Sequence, residues 1–430
     1  MKTLLTSTLA LSLALAAPAF AEVSAIEPRA AVEKIATVIQ TQFYDEARAG
    51  QIARDLRAEA GRGAYDRLTN PNDLATTLTT RLSPLDGHFR VSWSPPEPAA
   101  AGGRDAGAGD YADHQRRNNY GFRRVEVMPG NIGYVEMSEF ADFTPGDEAA
   151  RKTADAALAL VASTDALIVD LRDNGGGSPA MVGYMVGRFV APDANVYNTF
   201  KTRGEPDASE RPTVAITEPR RLDTPLYVLI SGRTGSAAES FAYTLQAARR
   251  AVIIGERSAG AANPGGDVEV GDGLRIFVSS GTPINPITGK NWEGAGVSPD
   301  VQVPSKLALV RAQSLALTGL TTGPGPASAT VENRWALEAL ADAPAVEPAK
   351  LATHAGDYGA YQVATVAGRL VLRQGRRPEV ALKPLDQGGL FVVEGAPFRR
   401  VRFEDGALIM LRTDGSSSRY ARRAGPTAEK

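Results

Sequence analysis

LYVLISGRTGSAAESFAYTLQAARRA, residues 226–251, places a serine where a buried strand gives way to a helix. Leu226 to Ile230 form a short apolar run that reads as a strand. Gly232 and Gly235 break the chain. From Ser236 the spacing turns helical, with Phe241, Leu245 and Ala248 on one face. A serine at that junction lies beside backbone N–H groups without helical partners, at the positive end of the helix dipole. Acyl transfer needs such a setting, a nucleophilic hydroxyl next to donors for a developing oxyanion. The same residues also fit a capping box, with Ser236 as the cap and Glu239 reciprocating. On this segment alone the cap is the favoured reading, since capping serines far outnumber nucleophiles.

Working outward, the chain has 430 residues, 47 basic against 49 acidic, and no cysteine. Disulfides, thiol catalysis and a lipid-modified cysteine are thereby removed. Mixed charge near neutrality gives no case for nucleic acid or a membrane surface. Three histidines without cysteine argue against a zinc site, and no cofactor is expected. Residues 1–21 read as a signal peptide: Lys2, an apolar Leu9–Ala17 stretch and an Ala19-Phe20-Ala21 cleavage site. No later run is long enough to span a membrane. Export to a bacterial periplasm or the extracellular space is the expectation.

The rest divides by texture. Residues 22–93 carry helical spacings at Val32, Ile35, Ile39, at Ile52, Leu56, and at Leu74, Leu78, Leu82, a small helical unit. Residues 94–117, rich in Pro, Ala, Gly and Asp, read as a flexible loop. Over 118–320, strands near 133–137, 166–171, 226–230 and 252–254 alternate with helices near 147–163, 179–190 and 237–250. That alternation predicts an α/β layer with largely parallel strands. Residues 321–349 read as a linker and helix, and 350–430 as a small antiparallel β domain.

Three further segments carry candidate chemistry. Asp170-Leu-Arg-Asp-Asn-Gly-Gly-Gly177 runs a buried strand into glycines, which let backbone N–H groups approach a ligand closely; an ordinary strand-to-helix turn would look the same. Leu85-Asp-Gly-His-Phe-Arg-Val91 holds His88, the imidazole best placed to serve as a base, since His114 lies in the expected loop and His354 beside the β domain. Asn291-Trp-Glu-Gly-Ala-Gly296 holds Glu293, an acid able to orient an imidazole or simply to sit in a tight loop.

In this order, DLRDNGGG, GSAAES, AVIIGERSAG and NWEGAGVSPD resemble the C-terminal processing (tail-specific) serine peptidase family over roughly residues 120–305. That family includes the tricorn protease core and the modules of interphotoreceptor retinoid-binding protein. FYDEARAGQIARDL, LDGHFRV and NNYGFRRVEVMPGNIGYVEM look closest to the retinoid-binding branch. The resemblance implies a ClpP/crotonase-like αβ core and a peptidase acting on peptide or protein substrates. It implies Ser236 as nucleophile, with oxyanion donors at Ala237 and at the glycine turn, placed at Gly176 with Gly175 as the other option. In the tail-specific branch a lysine serves as base about 25 positions after the serine; Ala261 stands there, and a methyl group takes no proton. In the tricorn branch the base is a histidine supported by a glutamate through a serine, and His88 and Glu293 match the first two. Gly87 replaces the supporting serine, so the link from Glu293 to His88 is direct, through water, or replaced by Asp86. Tail-specific members also carry a PDZ domain where this chain has 94–117, so tail specificity is not implied. A non-catalytic carrier of apolar ligands is the alternative, as the retinoid-binding modules illustrate.

Overall fold

The computed structural model describes residues 25–95, 106–143 and 148–423. The expected signal peptide lies outside them. No helix among the described residues is long and apolar enough to cross a membrane. The described chain forms two compact units, residues up to 101 with 265–279, and the remainder.

In the first unit, helices Pro28–Gln42, Glu46–Gly61 and Pro71–Leu82 start where the sequence signals a start. Prolines occupy the first turns of the first and third helices, and Asp45 and Asn70 accept hydrogen bonds from Arg48 N and Asn72 N. Their apolar faces bury Val32, Ile35, Ile39, Leu56, Leu74 and Leu78. The unit is not wholly helical. Arg90–Trp93 pairs antiparallel with Leu274–Ser279, which pairs with Gly265–Gly271, and Val270, Leu274, Ile276 and Val278 close the core. Residues 265–279 therefore belong with the N-terminal helices, although the sequence reading kept them within 118–320.

The second unit is built on a six-stranded sheet. Its strands are β1 (Phe122–Met128), β2 (Ile132–Met137), β3 (Ala166–Asp170), β4 (Leu226–Ile230), β5 (Val252–Gly255) and β6 (Val301–Gln302). They lie side by side in chain order, all parallel except β1, which runs antiparallel to β2 at the edge. Helices α1 (Ala149–Leu160), α2 (Pro179–Gly187) and α3 (Ala237–Ala247) make the crossovers. Leu167, Val169, Val228 and Ile230 pack with these helices. Ile168, Tyr227 and Leu229 point the other way, onto α4 (Ser305–Thr322) and α5 (Ala327–Leu340). Parallel strands covered on both faces must be apolar at every position, hence the unbroken runs in the sequence.

Two expectations need correction. Residues 106–117, read as loop, form a helix with His114, Arg116 and Arg117 in its last turn, where cations favour the dipole. The C-terminal domain is an eight-stranded antiparallel meander from Gly356–Tyr358 to Ser417–Ala421, and Arg423 N donates to Asp357 O (2.8 Å), drawing last strand to first. It is less separate than the linker suggested. Helix α5 buries Ala336 against the core, while Arg400 stacks over Trp335 (4.1 Å) and pairs with Glu338 (2.7 Å).

Candidate active site

After β4, residues 231–235 thread between two neighbouring loops. Thr234 Oγ1 donates to Leu171 O (2.7 Å) and Ser231 Oγ to Arg172 O (2.5 Å). Gly235 N donates to Asn174 O (3.0 Å), and Ala259 N to Thr234 O (2.9 Å). So tethered, the chain turns into α3 through Ser236, which is exposed and adopts φ 51°, ψ −120°. An ordinary capping serine takes an extended conformation. This one occupies a region that L-residues avoid at a cost of about 1–3 kcal/mol.

Glu239 holds the turn in place. Its buried carboxylate accepts from Ser236 N (2.9 Å), Ala261 N (2.8 Å), Gly260 N (2.6 Å) and Ser258 Oγ (2.5 Å). The sequence reading saw only the local half of this arrangement, because a capping-box pattern carries no information about residues 258–261. Ala261, at the lysine position of the tail-specific branch, is held by its backbone. The next residues are held by Glu293, whose Oε2 accepts from Ala262 N (2.8 Å) and Asn263 N (3.0 Å). Consecutive parts of one segment thus tie Glu239 and Glu293 to the same scaffold.

The glycine turn lies directly against the serine. A Cβ on Gly176, whose φ is 129°, would fall 2.7 Å from Ser236 Cβ and 3.2 Å from its Oγ. Only glycine permits that approach. Ala237 N–H has no hydrogen-bond acceptor among the described residues, and neither has Gly175 N–H. Gly176 N–H, in contrast, donates to Asn174 Oδ1 (2.9 Å). Asn174 is fully buried and its Nδ2 lacks a partner. An Asx-type contact to the second following amide is local and legible in principle, and sequence reading missed it. Of the DLR residues upstream, Asp170 binds Arg172 and Tyr134 OH (2.7 Å), and Arg172 reaches Ser305 O (2.8 Å); they anchor α4.

His88 lies in the first unit. Its Nδ1 stands 3.1 Å from Asp86 Oδ1, which also accepts from His88 N (2.8 Å) and Ser279 Oγ (3.3 Å). The Asp86 side chain is 2% exposed and the imidazole 20%. The ring stacks on Phe277, with centroids 6.0 Å apart. Asp86 thus selects the tautomer with the proton on Nδ1 and makes Nε2 the basic nitrogen. A side chain at Gly87 would meet nothing within 4 Å. The other histidines are placed differently. His354 is wedged against Phe403 (4.5 Å) in the β domain, where burial lowers its pKa, and His114 contacts Asn118 Nδ2 (2.7 Å).

Residues 131–303 match the family model "Peptidase family S41". The chloroplastic carboxyl-terminal-processing peptidase 1 of Arabidopsis thaliana is 27% identical over 184 residues, 42% of this chain and 35% of that one. The carboxy-terminal-processing protease of Bartonella bacilliformis is 30% identical over 188 residues, 43% and 41%. A solved Parabacteroides merdae peptidase structure superposes with a TM-score of 0.48 at 18% identity, over 70% of this chain and 100% of its own. The matched region spans about two fifths or less of the curated relatives' length. Residues 131–303 thus form a Peptidase family S41 segment, similar to C-terminal processing peptidases.

Proposed function

We propose that this chain is an exported serine endopeptidase with a ClpP/crotonase-like core, in which Ser236 forms the acyl-enzyme. The observation that carries the reading is the exposed serine held at φ 51° on the strand-to-helix turn, with Gly176 against it and Ala237 N–H unengaged. Strain of this kind is characteristic of nucleophile turns. In this reading His88, oriented through Nδ1 by Asp86, takes the hydroxyl proton at Nε2 as Ser236 Oγ attacks the peptide carbonyl. Ala237 N–H and Gly176 N–H receive the oxyanion. The amide of Gly176 must exchange the neutral Asn174 oxygen for a charged one, and charge-assisted bonds are roughly twice as strong. His88 then protonates the leaving amine and activates the water that releases the acyl group. Glu293 supports the site by fixing residues 262–263 and as the candidate third acid.

A carrier of apolar ligands is the second reading, and the engaged Gly176 amide is what favours it. A fluorophosphonate probe separates the two. The peptidase reading expects covalent labelling at Ser236, lost in Ser236→Ala, and cleavage of a peptide library by the wild type. An unlabelled protein that binds retinoid-like ligands would overturn it.

A further inference from the structure

The two edges of the core sheet are unequal. Strand β6 is two residues long, whereas β1 runs seven, Phe122–Met128, regular from Arg124 on after a bulge at its start, and no strand among the described residues pairs with its outer side. Long uncovered edges are templates for further pairing, and proteins ordinarily blunt them. This one is flanked by apolar surface. On the α1 side, an open groove of about 420 Å³ is lined by Phe122, Val125, Lys152, Ala156 and Leu160. Leu160 is 58% exposed and Val127 52%. On the opposite face Arg124 and Glu126 lie side by side, with Arg124 Nη2 2.8 Å from Glu126 Oε1. Arg124 also covers the Tyr134 ring (5.3 Å).

We propose that β1 pairs antiparallel with β1 of a second copy of this chain, about a two-fold axis at Val125, so that one sheet runs through both subunits. The charges select the partner and the register. With Val125 opposite its mate, Arg124 falls opposite the second copy's Glu126, twice by symmetry, on the Tyr134 face. Val125 meets Val125 on the other face. A shift of two residues either way sets Arg124 against Arg124 or Glu126 against Glu126. A shift of one turns the apolar face of one strand toward the charged face of the other. An edge built for arbitrary extended peptides has no need of a self-complementary charge pair. The same two-fold closes the α1 groove from both sides and covers Leu160.

Sedimentation velocity of the full chain over a concentration series tests this. Wild type is expected to dimerise. Glu126→Arg sets only like charges across the seam and should weaken the dimer at least about tenfold. Leu160→Asp should weaken it through the groove. Arg124→Glu combined with Glu126→Arg exchanges the charges and should restore it. Thermal melts of each variant establish that it is folded. A monomeric wild type at every concentration, a Glu126→Arg dimer of undiminished strength, or an exchange variant that fails to recover would each overturn the proposal.

Discussion

Ser236 shows how a single backbone angle separates two roles that the local pattern cannot. A capping serine replaced by glycine loses a few tenths of a kcal/mol. A serine forced to φ 51° and replaced by glycine is relieved of strain. Ser236→Gly should therefore raise stability by about 1 kcal/mol while removing fluorophosphonate labelling; a drop in Tm would return Ser236 to the role of a cap. Asp86 makes a second prediction. An acid on Nδ1 fixes the imidazole tautomer and stabilises the imidazolium. Asp86→Asn should lower kcat by a factor on the order of 10⁴ with KM little changed. Unchanged kcat would show that Asp86 only shapes the loop. A third concerns Glu210, buried between Ser240 Oγ (2.7 Å) and Asn198 Nδ2 (2.9 Å), where burial pushes its pKa up to about 8. The folded state holds this proton more tightly than the unfolded chain. Its contribution to stability is thus complete below the unfolded value near 4.5 and is lost as pH rises toward 8. Glu210→Gln should flatten that decline, so that the variant melts above wild type at alkaline pH. Parallel melting curves for the two proteins would remove Glu210 from the account.

At the scale of elements, the core was legible because its signals are local. The unbroken apolar runs of β3 and β4 and the change of period at Ser236 fix strand, turn and helix without reference to anything distant. What escaped was non-local or compositionally masked. The 265–279 hairpin is read correctly as strands only once its packing on the N-terminal helices is known. The helix at 106–117 hides in an Ala- and Gly-rich sequence that resembles a linker. Glu239 escaped in the same way. The pattern identifies it as a capping partner of Ser236, but its bonds to 258–261 join the start of α3 to a loop some twenty residues on. That strut yields the element-scale prediction. Glu239→Gln offers one acceptor oxygen where two serve four donors, leaving buried donors unmet at about 1–3 kcal/mol. Both Tm and Ser236 labelling should fall, the latter because the turn is no longer held. Retained labelling with lowered Tm would confine Glu239 to stability.

Across the whole molecule, α5 decides where the chain can be divided. The Gly- and Pro-rich stretch 321–328 would by composition alone invite a cut near Ser328, but that cut removes α5 from its place against α4. Ala336 is buried there among Tyr227, Leu229, Ala312 and Leu317. The β domain in turn holds α5 by Arg400 over Trp335 and by Lys383 Nζ on Ala339 O (2.8 Å). The helix therefore has one face on the core and one on the meander, and each side is incomplete without it. A chain ending at Ala343 keeps the core face covered and exposes only the side of α5 that met the β domain. It should melt cooperatively and retain Ser236 labelling. A chain ending at Ser328 uncovers the outer surface of α4 and should melt markedly lower. Comparing the two truncations by calorimetry checks the division. Equal melting temperatures would mean that α5 belongs to the β domain alone and that the core closes without it.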